Sequence, residues 1–275
     1  MEEQKIEVEI MAETKIKVVF FDIDGTTYDA ERKYVSPSTI KAINELHDKG
    51  IYTVISTGRG RNEIVGITKE LMGLPFDAFI TSGGSEVYTR DGTLLHQAHI
   101  KREHALNIKK LLEDVDFHID CIYTDGIGSG VTGEMGEYGN LNFKWFEIPP
   151  YPKREFDVDS LIHVIFAVGE EYHEKIISYL EGTNYDVTSP ISVEVYPCAT
   201  TKLTGINVLL EHFGLTLDNV MAFGDSENDV EMLEYAAIGV CMGNGKEITK
   251  KHSDYVCEDI FHDGIYNTLK KYGVI

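Results

Sequence analysis

Basic residues are what this chain most conspicuously lacks. It has 25 lysines and arginines against 46 aspartates and glutamates, a net charge of −21 over 275 residues. A surface of that sign repels phosphate backbones and anionic headgroups, so neither a nucleic acid nor a membrane is expected as a partner. A small anionic substrate is not excluded, because a metal ion can invert the local field. Cysteine is scarce too. Cys121, Cys198, Cys241 and Cys257 lie far apart with no CxxC pair. That argues against a zinc site or a disulfide framework and for reduced, mostly buried thiols. The histidines form no HxH or HExxH pattern, and there are no repeats or low-complexity tracts. No apolar run approaches the ~18 residues that a membrane span needs. The opening MEEQKIEVEIMAETK is acidic and has no apolar h-region, so it does not read as a signal peptide. Residues 1–14 read instead as a short extension, with Met11 an alternative start, and the expected location is the cytoplasm.

What is present suits a soluble globular protein with a sizeable core, since 43% of the residues are hydrophobic and 26% charged. The length fits one large domain or two modest ones. KIKVVFF (15–21), IYTVIST (51–57) and FDAFITSGG (76–84) read as buried strands. Between them lie a helix over 36–50, with Ser36 as N-cap, Pro37 in the first turn and Gly50 as the stop, and another near 61–73. Near-continuous apolar strands alternating with helices mean a parallel sheet covered on both faces. After Gly83-Gly84 the rhythm changes. A hairpin turning at Asp91-Gly92 is followed by a helix near 102–115, a strand over 117–124 and a glycine-rich stretch, 125–140, that is costly to order unless something fixes it. Then come a proline-rich connector (148–157), a strand over 161–169, a helix over 172–182 and a strand over 192–197. Beyond Lys202 the first rhythm returns, with helices near 203–213 and from 227, strands over 219–224, 238–242 and 254–257, and a last helix near 262–272. The expected fold class is therefore α/β, with a Rossmann-like parallel-sheet core, helices on both faces and an inserted α/β domain. The core is expected at 1–84 and 198–275 and the insert at 85–197, with Gly83 and Gly84 as hinge candidates.

In such a sheet ligands bind beyond the carboxyl ends of the strands. Four polar clusters fall there: DIDGTT (22–27), STGR (56–59), the segment around Lys202 and GDSEND (224–229). Asp22 and Asp24 share a face if the chain stays extended. Two close carboxylates repel, which raises the pKa of one or demands a cation, and such a pair suits a nucleophile beside a general acid/base near a divalent metal. A solvated strand-end turn would use the same residue types. Thr57 offers a hydroxyl, and Gly58 lets a ligand approach the backbone closely. Asp225 and Asp229 lie four apart with Asn228 beside them. Helix capping explains part of that density of acids, and hard oxygen ligands for Mg²⁺ explain more.

Taken together and in this order, the clusters resemble the motifs of the haloacid dehalogenase superfamily, and within it the Cof-type phosphatases with a large α/β cap between the second and third motifs. DIDGT matches the nucleophile motif, TGR the second motif, KLTGINVLLEHFGL the lysine-bearing helix and GDSENDVEML the acidic motif. MGNG (242–245) resembles a loop of the same branch. The resemblance implies that Asp22 attacks phosphorus and that Asp24 protonates the leaving oxygen and then activates water. It implies that Thr57, Gly58 and Lys202 hold the phosphoryl group, with Asn228 anchoring Lys202 or the phosphate. Mg²⁺ is implied as cofactor, bound by Asp22, the Asp24 carbonyl and Asp225, with Asp229 supporting its waters. Thr27 and Ser82-Gly83-Gly84 depart from the family pattern, which usually has an apolar residue at the first place and Asn-Gly-Ala at the second.

The expected function is Mg²⁺-dependent hydrolysis of small phosphate monoesters, such as sugar phosphates, through an aspartyl-phosphate. The partner is then a small phosphorylated metabolite, and the protein a monomer or weak dimer. Glu194 and Tyr196, on a strand of the insert, are expected to touch the leaving group. Two other readings use the same residues: a hexose-phosphate mutase, and a catalytically silent binding module of the same fold.

Overall fold

The computed structural model describes residues 16–64, 67 and 69–275. The extension expected at 1–14 lies outside them, as do three positions of the helix expected near 61–73. The chain divides into two compact units. The first is built from the described residues up to Gly58, from Thr68–His96 and from Thr201–Ile275. The second is built from Arg59–Ile67 and Gln97–Thr200.

At the centre of the first unit is β1 (Val18–Phe21), all four residues of which are buried. A strand apolar on both faces belongs in the middle of a covered parallel sheet. It pairs in parallel with β2 (Tyr52–Ser56) on one side and β11 (Val220–Gly224) on the other. β3 (Ala78–Thr81) continues the parallel pairing beyond β2, and β12 (Ile238–Cys241) and β13 (Tyr255–Val256) continue it beyond β11. β4 (Glu86–Thr89) adds antiparallel to β3, and β5 (Leu94–Gln97) closes that edge. Two helices show how sequence sets the covering layers. α1 (Pro37–Asp48) starts with proline at its first turn and buries Thr39, Ala42, Ile43 and Leu46, one face at helical spacing. α2 is a single turn (Lys69–Met72). α6 (Lys202–Phe213) opens with a reciprocal capping box between Thr201 and Thr204 and stops at Gly214 in the left-handed region. Its Ile206, Leu209 and Leu210 pack with Phe20, Val54, Ile80 and Ala222.

The second unit is a five-stranded sheet in the order β7-β6-β8-β10-β9: β6 (Asp120–Asp125), β7 (Gly128–Val131), β8 (Leu161–Ala167), β9 (Asn184–Ser189) and β10 (Ser192–Tyr196). Each neighbouring pair of strands in it is antiparallel. α3 (Arg102–Asp114) and α5 (His173–Ile177) bring Ile108, Leu111 and Ile176 to Cys121, Val164, Phe166 and Val195 on one face. Phe143 of α4 (Glu137–Phe146) packs with Ile122, Val131 and Ile165 on the other.

This architecture differs from the sequence reading in instructive places. The hairpin at Asp91-Gly92 forms, but as β4–β5 it lengthens the first sheet, so the longer segment of the second unit begins at Gln97 rather than 85, and a shorter one, Arg59–Ile67, comes from the stretch expected in the core. Gly83 and Gly84 consequently lie inside the first unit, and Gly84 is packed. A Cβ there would overlap the Thr201 carbonyl oxygen at the start of α6, and its φ of 104° is one that glycine tolerates. The glycine-rich stretch is structured because two buried aspartates collect its N–H groups. Asp125 accepts from Ile127 and Gly128 and pairs with Arg154 at 2.7 Å. Asp120 accepts from Gly136 at 2.6 Å, Gly139 at 2.7 Å and His118 at 2.8 Å. Side-chain acceptors rather than apolar anchors thus order β7 and α4, neither of which has an apolar period to reveal it. β9 is likewise unreadable, being half exposed at a sheet edge.

Asp120→Ala leaves two buried backbone donors without their acceptor, which should destabilise the protein by about 2–4 kcal/mol. Urea unfolding measures this; an unchanged midpoint would show that the aspartate is not what orders the loop.

Candidate active site

β1 ends at Phe21, and Asp22 still donates its N–H to the Phe223 carbonyl of β11. The chain then turns. The Ile23 carbonyl takes the N–H groups of Thr26, Thr27 and Tyr28, and Gly25 adopts φ 83°. Thr27, where an apolar residue was expected, is fully buried and donates its hydroxyl to the Asp22 carbonyl at 2.9 Å. The turn brings the second acidic cluster in. Thr26 Oγ1 donates to Asp225 Oδ1 at 3.2 Å, and a Cβ on Gly25 would overlap the Asp225 carboxylate. The MGNG loop braces the same turn, with Asn244 Nδ2 on the Gly25 carbonyl at 2.8 Å.

Lys202, the first residue of α6, is 1% exposed. Its ammonium lies 2.6 Å from Asp22 Oδ1 and 2.5 Å from Asp229 Oδ1. Burial alone would push Lys202 down, but the two carboxylates outweigh it and hold its pKa above the ordinary value. Asp229 is fully buried, and its other oxygen accepts the N–H groups of Asp225 and Ser226 at 3.0 Å each. Both Asp229 oxygens are therefore engaged, which makes it the residue that positions Lys202 and the loop after β11. The carboxylate oxygens of Asp22, Asp225 and Asp229 converge within 4.8 Å. Burial pushes Asp22 well above the carboxylate range; Lys202 pulls it back, while Asp229 and Asp225 push it further up. Asp225 is pushed up to about 7, by burial first and the Asp229 charge second. Three crowded carboxylates with one ammonium are a set of hard oxygen donors short of positive charge, and a divalent cation fits them.

The structure thus gathers Asp22, Lys202, Asp225 and Asp229, which are far apart in sequence. Asp24 is near enough for its charge to raise the Asp225 pKa. Thr57 follows β2, donates its N–H to the Ile80 carbonyl at 2.9 Å and accepts from Gly83 at 3.1 Å, with Gly58 next in the chain. Asn228 stands apart from the lysine. It is exposed, and Asp22 and Asp229, not Asn228, hold the Lys202 ammonium. Glu194 and Tyr196 belong to the second unit, where the Tyr196 hydroxyl bonds Glu194 and so does His163. Sequence reasoning passed over His163 and Glu63, because neither falls in a metal or catalytic spacing.

The sequence profile of the haloacid dehalogenase-like hydrolases matches residues 19–269. The chain belongs to this family. It is 30% identical over 255 residues to a 5-amino-6-(5-phospho-D-ribitylamino)uracil phosphatase of Bacillus subtilis, covering 93% of this chain and 95% of that one. It is 26% identical over 266 residues to a phosphoglycolate phosphatase of Methanobrevibacter smithii, covering 94% and 98%. Among solved structures, that of the sugar phosphatase BT4131, of subclass IIB, superposes with a TM-score of 0.84 at 29% identity, over 94% of this chain and all of that one. These likenesses support the α/β fold class and the Cof-type resemblance read from the motifs.

Lys202→Met removes the cation between two buried carboxylates. The loss should be about 3–5 kcal/mol, read as a lower melting temperature, and a variant as stable as the parent would show that the pair is not the keystone of this end of the sheet.

Proposed function

We propose that the protein hydrolyses small phosphate monoesters, with sugar and polyol phosphates as the substrate class, through a phosphorylated Asp22. The observation that carries this reading is the Asp22–Lys202–Asp229 triad with Asp225 alongside, at the carboxyl ends of β1 and β11. The family relationship supports it. The two curated relatives act on different organic groups, so the reading of the substrate rests on the chain's own residues.

In the proposed reaction Lys202 holds one oxygen of Asp22, orienting the other toward phosphorus. As the Asp22 oxygen–phosphorus bond forms, the ester bond breaks, and Asp24 gives its proton to the leaving oxygen. Asp24 then takes a proton from water, whose oxygen attacks phosphorus and frees Asp22. Thr57, Gly58 and Lys202 bind the phosphoryl oxygens. Asp229 acts by fixing Lys202 and the Asp225–Ser226 loop. Asn228, exposed at the start of the following turn while Asp22 and Asp229 hold the lysine, is left to help bind the phosphoryl group. Asp22, Asp225 and the Asp24 carbonyl would hold Mg²⁺, with Asp229 behind them. Bound there, the ion would neutralise charge on the phosphoryl group and the repulsion between the carboxylates. Glu194 and Tyr196, on β10, are assigned to the leaving group in this reading. A mutase would need the same first step, but nothing in the described residues singles it out.

Asp22→Asn keeps the side-chain shape and removes the attacking charge. Release of inorganic phosphate from p-nitrophenyl phosphate should fall by at least about 10³-fold, given what covalent catalysis contributes, while the circular dichroism spectrum is retained. Near-parental release would refute the nucleophile. Asp24→Asn should also be crippled, and with acetyl phosphate it should accumulate phosphoprotein, detectable as a mass increase.

EDTA should abolish turnover and Mg²⁺ restore it. Ca²⁺ should support it poorly, because its longer bonds and higher coordination number disturb the oxygen positions. Full activity after chelation would overturn the metal requirement.

A further inference from the structure

The MGNG loop (242–245) is a sequence motif to which the proposed chemistry gives no part. It follows β12, in the first unit, and closes on both acidic clusters. On one side its backbone meets the second cluster. The Met242 N–H donates to the Gly224 carbonyl at 2.9 Å, and the Lys246 N–H donates to the Asp225 carbonyl at 2.8 Å. On the other side the Asn244 side chain reaches the first cluster, its Nδ2 donating to the Gly25 carbonyl at 2.8 Å. Close packing forces the path of the loop. A Cβ on Gly243 would meet the Cys257 carbonyl oxygen at 2.9 Å, and one on Gly245 would meet Cys241 Sγ at 2.6 Å. Asn244 is therefore set down between two glycines that have no room for a side chain.

Stability does not account for such precision. Asn244 is exposed, and an exposed hydrogen bond adds little to folding because water offers the same partners. What the bond does is local. In the turn after β1, Asp24 is followed by two peptide groups that share Gly25, the residue type whose backbone swings most freely. The first, between Asp24 and Gly25, is held by the Gly25 N–H on the Tyr28 carbonyl at 2.9 Å. The second, between Gly25 and Thr26, is held within the turn by the Thr26 N–H on the Ile23 carbonyl at 3.2 Å, and from outside it by Asn244 on the Gly25 carbonyl. Asn244 thus completes a clamp on the two peptides that follow Asp24, whose own side chain is half-buried. A general acid must sit within hydrogen-bond reach of the oxygen it protonates. A misplacement of about 1 Å can cost about 100-fold in rate.

We propose that Asn244 is a positioning residue for the reaction: by fixing the Gly25–Thr26 peptide it keeps the Asp24 carboxyl aimed at the leaving oxygen. This rests on the phosphatase reading and adds to it a residue outside the four polar clusters. In the first step the bond from Asp22 to phosphorus forms and the ester bond breaks. Its electron pair stays with the alcohol oxygen, which takes the Asp24 proton. An alkyl ester needs that proton, because an alkoxide leaves poorly. A p-nitrophenyl ester does not, because p-nitrophenolate leaves as the anion. Asn244 therefore matters for the first kind of ester and hardly for the second. A residue that merely braced the loop, or held Asp225 in place, would affect both kinds alike.

The test compares kcat/KM, which reports the steps up to release of the alcohol, for p-nitrophenyl phosphate and for the better of two alkyl esters, ribitol 5-phosphate and glucose 6-phosphate. Asn244→Ala should lower the alkyl-ester value by about tenfold, equivalent to ~1.4 kcal/mol, and the p-nitrophenyl value by less than about twofold. Asn244→Asp, nearly isosteric but unable to donate, should change the ratio of the two by a similar factor; its added charge acts on both esters alike and cancels. If one of these variants does not fold, the other carries the same test. Added to Asp24→Asn, the Asn244→Ala change should leave the ratio where Asp24→Asn puts it, because the acid that Asn244 positions is gone. Equal losses on both kinds of ester, no loss on either, or a further change of ratio in the double variant would overturn the proposal and leave the phosphatase reading intact. So would a wild type that cleaves p-nitrophenyl phosphate but neither alkyl ester. A wild type that releases phosphate from none of the three would overturn both.

Discussion

One ammonium organises the active end of the first sheet. Lys202 lies between Asp22, which follows the central strand, and Asp229, which follows β11. Each partner alone would be an expensive group to bury. Together they hold three chain segments, separated by up to about 200 residues, in one arrangement. Removing any one would strand the others, because a buried charge without its partner is far worse than none. The backbone serves this contact. The capping box at Thr201 and Thr204 fixes where α6 begins, Gly84 lets that start pack closely, and Asp229 collects two N–H groups so that its oxygens cannot wander.

The triad leaves negative charge unbalanced. Asp225 enters the same space through the gap left by the missing side chain of Gly25 and takes a hydrogen bond from Thr26. In water these carboxylates would be ordinary. Out of water, with one ammonium among three of them, their pKa values rise, and the cheapest remedy is a small hard cation. The fold thereby sets a carboxylate oxygen held by the lysine beside a place for positive charge.

The second unit solves a different problem. Its sheet has one apolar face, covered by α3 and α5, and a second face where the apolar set around Phe143 gives way to His163, Glu194 and Tyr196. Its loops are ordered by Asp120 and Asp125 rather than by hydrophobic anchors. Polar fastening leaves loop sequences free to change, provided the acceptor stays.

Much of this was legible in the chain itself. Apolar strands such as VVFF, the proline and glycine bounds of α1 and the density of oxygen ligands in DIDGTT and GDSEND are local patterns, and local patterns follow from periodicity, capping and ligand chemistry. So the parallel sheet and the residues Asp22, Lys202, Asp225 and Asp229 could be named without coordinates. Tertiary structure decided what depends on distant partners. It gave Lys202 to Asp229 rather than to Asn228, since neighbouring positions in a sequence do not say which side chain points inward. It joined β4 and β5 to the first sheet, because a hairpin's pattern does not name the edge it will extend. It ordered 125–140 through aspartate acceptors that no periodicity announces. And it buried Glu63 beside His163 and Glu194, a meeting of charges about 100 and 130 residues apart that only the folded chain can arrange.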